Sequence, residues 1–130
     1  SGRGVLLARF GDGDGPLTVA VAHLSLGATS RAAQLGFIAE LLHDHPNAVL
    51  MGDFNCSIDR PEMQALFRNT RLQPPDGSVP TFPSWRPQRA IDHILVGDGL
   101  RTANVRALPA AQSDHLALSL DLEVPEQALR

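Results

Sequence analysis

Ala48-Val49-Leu50-Met51-Gly52-Asp53-Phe54-Asn55 is the stretch on which the fold reading turns. Its first four residues are apolar on both faces, the mark of a strand covered on both sides at the centre of a sheet. The strand then breaks at Gly52-Asp53-Phe54-Asn55, where every residue but Phe54 is a turn former. Asp53 and Asn55 lie two apart, so a carboxylate and an amide project the same way from the strand's end. An unpaired charge in apolar surroundings is costly. A hard cation or a phosphate-bearing substrate would satisfy it. The plain alternative is a turn with no chemistry, and the tetrapeptide alone leaves both readings open.

Working outward, Val5 to Phe10 and Leu17 to Leu24 read as a hairpin about the turn Gly11-Asp12-Gly13-Asp14-Gly15-Pro16. In its second strand Leu17, Val19, Val21 and His23 share a face. Read by itself, His23 is a hydrogen-bonded core histidine. Thr29 or Ser30 caps a helix running to about His43, with Leu35, Ile38, Leu41 and Leu42 on one side. Asp59-Arg60-Pro61-Glu62 has capping-box spacing before a short helix striped by Met63, Leu66 and Phe67. Gln73 to Gln88 is a proline-rich loop. Ile91 to Val96, Thr102 to Leu108 and the alternating run Leu116 to Val124 are strands. The order ββαβαβββ predicts an α+β fold around a mixed, mostly antiparallel sheet with helices on one face.

At 130 residues and 13.9 kDa the chain has the size of one domain. Hydrophobic residues make up 43% and charged residues 19%, too apolar for disorder. No apolar run approaches the ~20 residues of a membrane-spanning helix, and Val5-Leu6-Leu7-Ala8 is too short for a secretory signal. Net charge is −3 and all eleven basic residues are Arg. A protein gripping duplex nucleic acid by phosphate neutralisation carries a basic surplus, which is lacking here. The lone Cys56 forms no internal disulfide, so nothing demands an oxidising compartment.

Two further groups stand out. In Ile91-Asp92-His93-Ile94-Leu95-Val96 the carboxylate of Asp92 falls on the face of Ile94 and Val96, among aliphatics. A buried Asp accepts hydrogen bonds from a cation or imidazole, and His93 points the other way. Ser113-Asp114-His115 sits at the mouth of the last strand, where an acid beside an imidazole suits a metal ligand next to a phosphate contact. His43 and His45 flank a helix end as solvated residues. Glu40, Glu62, Glu123 and Glu126 fall on helix faces, an outer strand face or the tail, away from any site.

The ordered series Val-Ala-His23-Leu-Ser-Leu, Leu-Met-Gly-Asp53-Phe-Asn55, Thr81-Phe82-Pro83, Ile91-Asp92-His93-Ile94 and Ser113-Asp114-His115 resembles the endonuclease/exonuclease/phosphatase superfamily. That metal-dependent group includes pancreatic-type deoxyribonuclease, abasic-site repair endonucleases, inositol polyphosphate 5-phosphatases and neutral sphingomyelinases. The resemblance runs from about Val5 to Val124. It implies that Asp53 orients or activates the attacking water, and that Asn55 contacts the scissile phosphate or helps hold that water. It further implies that Asp92 braces a phosphate-binding His115, that Asp114 belongs to a divalent-metal site, and that His23 is the other phosphate-contacting histidine. Mg²⁺, with Mn²⁺ as the alternative, is the implied ion. The implied reaction is in-line attack of water on a phosphodiester or phosphomonoester. A cationic His115 needs Asp92 ionised, so activity would weaken when the carboxylates protonate and when the imidazole loses its proton.

The resemblance also implies a departure. Members of the superfamily are roughly twice as long, and their first half brings an Asn and a metal-binding Glu that have no counterpart here. The expectation is the C-terminal half of a four-layer α/β/β/α sandwich, a single partial domain inert alone. One apolar sheet face would then lack a cover, to be met by the missing N-terminal half, another polypeptide or a homodimer. Trp85 and Arg86 are expected to meet substrate, Trp85 stacking on a base or lipid headgroup and Arg86 gripping a second phosphate. Phe82 and Trp85 pinning the loop to the body is the structural alternative. Nucleic acid, a phospholipid headgroup and a small phosphate ester stay open as substrates. Calcineurin-like metallophosphatases also place Gly-Asp after a strand, but their Gly-Asn-His-Asp/Glu and Gly-His-x-His segments do not occur. The rival from another class is a noncatalytic binding or assembly module.

Overall fold

The run around Leu50 forms the central strand that its two-sided apolarity requires. In the computed structural model, which describes residues 4–76, 79–109 and 112–130, it is β3, Ala48–Asp53. Before it come β1 (Val5–Phe10), β2 (Leu17–His23) and α1 (Ala28–Leu41). After it come α2 (Pro61–Asn69), the two-residue β4 (Leu72–Gln73), β5 (Asp92–Gly97), β6 (Arg101–Leu108), β7 (Ala117–Glu123) and a 3₁₀ turn at Glu126–Leu129. β4 falls where the sequence reading begins a loop. Two residues are too few to show alternation.

The sheet is mixed and mostly antiparallel, in the order β1-β2-β3-β5-β4. Only β2 and β3 run parallel, joined by α1 as crossover. β6 and β7 form a separate two-stranded sheet.

Two cores lie on opposite faces of the five-stranded sheet. Ala20, Ala22, Leu50 and Leu95 meet Leu35, Ile38 and Leu42 of the first helical region and Met63 and Leu66 of α2. On the far side Val49, Val96 and Leu100 pack with Leu17, Val19, Ile94, Leu120, Leu122 and Val124. The β6–β7 hairpin therefore covers one end of that face. The other end is open: Leu6 pairs with Val21, and Leu6 is 73% exposed and Val21 41%. Phe10, beside the covered Leu17 at the hairpin end, is 49% exposed on the edge strand β1.

The caps differ from the sequence reading. Neither Thr29 nor Ser30 caps α1; Gly27 does, without a side-chain hydrogen bond. Arg31 explains the shift, since its buried guanidinium donates to the carbonyls of Ser25 (3.2 Å) and Leu26 (2.8 Å) and supplies the turn's polar partners. Asp59 does not cap α2 either: Pro61 takes the first helical position, for which its fixed φ suits it, and Arg60 becomes the cap residue. Asp59 instead accepts from the Ser57 hydroxyl. Glu62, read as lying on a helix face away from any site, has a buried side chain 3.7 Å from Arg31 and 3.2 Å from Arg60.

Candidate functional site

The sheet register builds the site. His23 of β2 is opposite Asp53 of β3, and Asp53 is opposite Asp92 of β5. Directly paired residues project to one side, so three ionisable groups from three strands form a single row. Their side is the partly open face, the side of Val21 and Ile94. A concavity of about 360 Å³ lies before them, lined by Val21, Met51, Asp53, Asp92, Ile94 and Leu118 among others.

Gly52 allows this row to form. Its φ is +145°, and a Cβ there would collide with the Ala22 carbonyl oxygen. Only glycine tolerates both the dihedral and the close approach of β2. Beyond Asp53 the chain turns sharply. Asn55 takes the left-handed region at φ 52°, which Asn tolerates better than most residues. The Asp53 carboxylate accepts from the Asn55 N–H at 2.9 Å, and the Asn55 side-chain amide donates to the Leu24 carbonyl at 2.7 Å. Leu24 N–H in turn donates to the Asp53 carbonyl at 2.9 Å. The ends of β2 and β3 are thus stitched together beside the row.

His115 enters from the loop before β7. Its Nδ1 donates to Asp92 Oδ2 at 2.6 Å, and its Nε2 lies 3.6 Å from Asp53 Oδ2. The imidazole that Asp92 lacked within its own strand comes from 23 residues downstream. Thr81, fully buried, donates its hydroxyl to the same Asp92 oxygen at 2.5 Å. Phe82 tilts against the His115 ring with centroids 4.8 Å apart. Burial works against the His115 cation. The hydrogen bond and charge of Asp92, helped by Asp53 and Asp114, outweigh it and raise the imidazole above its ordinary value.

His23 is not the core histidine that its strand suggests. Its side chain is 61% exposed, with Nε2 3.6 Å from Asp53 Oδ2. The small residues Thr18, Ala20 and Ala22 are buried instead, because α1 lies over them, while the bulky alternate face is only partly covered. Asp114 is exposed beside His115, and its backbone carbonyl accepts from Ser84 N–H at 2.7 Å. Among the described residues the groups close enough to share an ion are Asp53, Asp92 and His115, whose ligand atoms lie within 4.8 Å of one another. Trp85 and Arg86 are both exposed.

His93 faces the helices as its position demands. Its Nε2 donates to the Cys56 carbonyl at 2.7 Å and its ring meets Phe54 edge-on, fixing the loop that follows Asp53. Burial pushes its basicity down, against the pull of the Cys56 carbonyl and of Asp92 and Asp53. Thr81 and His93 are supports that sequence reading missed. Thr81 was visible only as part of the Thr-Phe-Pro match, and nothing in a proline-rich stretch says where a hydroxyl will land.

Residues 3–115 match the model of the endonuclease/exonuclease/phosphatase family. The chain belongs to that family. Its structure is similar to an endonuclease/exonuclease/phosphatase from Bacteroides vulgatus, at 21% identity and TM-score 0.73 over 95% of this chain and 56% of that one. A conserved protein of unknown function from Enterococcus faecalis V583 is 25% identical, with TM-score 0.69 over 84% of this chain and 50% of that one. A mannosyl-6-phosphatase from Bacteroides thetaiotaomicron is 18% identical, with TM-score 0.64 over 82% of this chain and 51% of that one. The chain thus spans about half the length of these solved structures. No curated protein matches it in sequence.

Proposed function

We propose that the chain carries the phosphate-binding half of a divalent-metal-dependent phosphoester hydrolase that attacks phosphorus with water. One observation supports this above the rest: Asp92 holds His115 at 2.6 Å, while Asp53 stands 3.6 Å from both His115 and His23. An imidazolium fixed by a carboxylate is preorganised charge for the equatorial oxygens of a phosphate. Asp53, between two imidazoles, is placed to orient a water and accept its proton. An amide carries two donors, so Asn55 can brace Leu24 and still offer a hydrogen to the phosphate. Thr81 keeps Asp92 aimed at His115.

The donor set fits a hard cation. A protonated His115 has no lone pair to give, so within the cluster the ion would rest on carboxylate oxygen; Asp114, expected to belong to the metal site, lies outside that cluster. Mg²⁺ commonly uses one or two carboxylates and takes its other ligands from water and phosphate. When bound, Mg²⁺ or Mn²⁺ would neutralise charge developing on the leaving oxygen.

The open pair of Leu6 and Val21 beside the site supports a second part of the reading. A segment that brings the chain to its relatives' length, in the family's N-terminal half, covers this face and completes the site. The chain alone then turns over little or no substrate. The decisive measurement is Mg²⁺- or Mn²⁺-dependent release from a generic aryl phosphodiester and an aryl phosphomonoester by the chain joined to that segment. Asp53→Ala and His115→Ala should each lower the rate by about 10²-fold or more while leaving the melting transition in place. Wild-type rates in either variant remove that residue from the mechanism. No turnover with any divalent ion leaves the noncatalytic binding module.

A further inference from the structure

The proline-rich loop splits into two halves with different behaviour. Thr81 and Phe82 are used by the site, one on Asp92 and one on His115. Trp85, three residues on, is 76% exposed and belongs to neither core. It does not pin the loop. Nor is the loop slack around it. Phe82 pairs with Arg89, exchanging hydrogen bonds of 3.2 and 3.0 Å, and Arg86 N–H closes a turn onto the Pro83 carbonyl at 3.1 Å. Ser84 fastens the tip to the site's own loop, its N–H on the Asp114 carbonyl at 2.7 Å and its hydroxyl on the Ser113 carbonyl at 2.6 Å.

That fastening sets a length. Trp85 and His115 each lie one residue from the partners of the Ser84–Asp114 hydrogen bond, so their Cα atoms are no more than about 11 Å apart. A ligand that carries both a phosphate and a planar ring is of the size to span the two residues. Arg86 and Arg89 flank Trp85, both exposed, and neither makes an ion pair among the described residues. Two cations without carboxylates, in a chain of net charge −3, are placed for an anion from outside.

We propose that Trp85 is the stacking platform of a subsite for the organic part of the substrate, that Arg86 supplies its charge, and that this part is a planar ring of the nucleotide class. The inference rests on the phosphoester reading and narrows it. A lipid surface is the weaker partner, because Trp85 is the one large exposed hydrophobic residue described between Val79 and Gly97, and membrane docking needs an apolar patch. A duplex is weaker still, for want of the basic surplus it needs.

Trp85 is the chain's only tryptophan and there is no tyrosine, so emission excited at the red edge reports on this residue alone. Titrating the 130-residue chain with a nucleoside 5′-monophosphate should quench it saturably, and inorganic phosphate and glycerol phosphate should not. By calorimetry Trp85→Leu should weaken nucleotide binding on the order of tenfold and leave inorganic phosphate binding, followed by phosphorus NMR, unchanged. Arg86→Gln should weaken nucleotide binding several-fold. Equal quenching by inorganic phosphate, or phosphate binding without any nucleotide effect, overturns the ring subsite and spares the phosphoester reading. A blue shift with phosphatidylcholine or phosphatidylserine vesicles replaces the nucleotide by a lipid headgroup. If neither phosphate nor nucleotide binds to the chain joined to the completing segment with Mg²⁺ present, both readings fall together.

Discussion

The two faces of the five-stranded sheet are made by the same strands and are finished differently. Toward the helices β2 presents Thr18, Ala20 and Ala22, and the layer beneath α1 and α2 is closed, with Leu50, Ile38, Met63 and Leu95 fully buried. Toward the hairpin the same strand presents Leu17, Val19, Val21 and His23, of which the first two are covered and the last two are not. Small side chains let helices approach closely. Bulky ones wait for a cover that the hairpin supplies over only part of the face. The site row lies at the open end, so whatever completes the face also walls the site.

Four measurements would break or sharpen this contrast. The largest effect belongs to Gly52→Ala. A methyl group driven into the Ala22 carbonyl must part β2 from β3, and loss of the cooperative thermal transition is expected. An unchanged Tm would show that the two strands do not need their close approach. Next is Glu62→Gln on the closed side, which leaves the buried Arg31 without its carboxylate and should cost about 3 kcal/mol in urea unfolding. The double variant Arg31→Met with Glu62→Gln should recover part of that loss, and additive losses would deny the coupling.

Third comes Cys56, also on the closed side, whose thiol burial raises from 9.0 to about 11, against the pull of Arg31. Because the unfolded thiol ionises first, this contribution is whole below pH 9 and is lost as pH climbs toward 11. The loss should be on the order of 2 kcal/mol, and absent in Cys56→Ala. Equal slopes in the two proteins would mean that Cys56 is wetter than the fold implies. Smallest are Leu6→Ser at the open end and Phe10→Ser on the exposed edge strand, each within about 0.5 kcal/mol and each lowering self-association in sedimentation. A cost above about 2 kcal/mol would mean that this end is already packed within the chain.

Much of this was legible in advance because it is local. The two-sided apolarity of Ala48 to Met51 marked the central strand, and strict alternation placed the Asp92 carboxylate among aliphatics before any partner was known. What closes over long separations was not legible from periodicity. The partner of Asp92 comes from another loop, and the row of His23, Asp53 and Asp92 depends on strand pairing that no single segment encodes. Alternation by itself makes His23 a core histidine for a physical reason: it says which residues share a face, not which face the chain itself covers, and the resemblance had set His23 at the phosphate instead. The Pro61 and Arg31 effects on the caps are of the same kind, set by neighbours rather than by the capping residue.

The row across β2, β3 and β5 ties chemistry to strand pairing in a way that outlasts any one contact. Because side chains alternate, a slip of one residue in any of the three strands would carry its ionisable group through the sheet to the helix side. A chain with one strand out of register cannot keep the row. If the proposed activity holds, its assay would double as a readout of whether three strands found their proper neighbours.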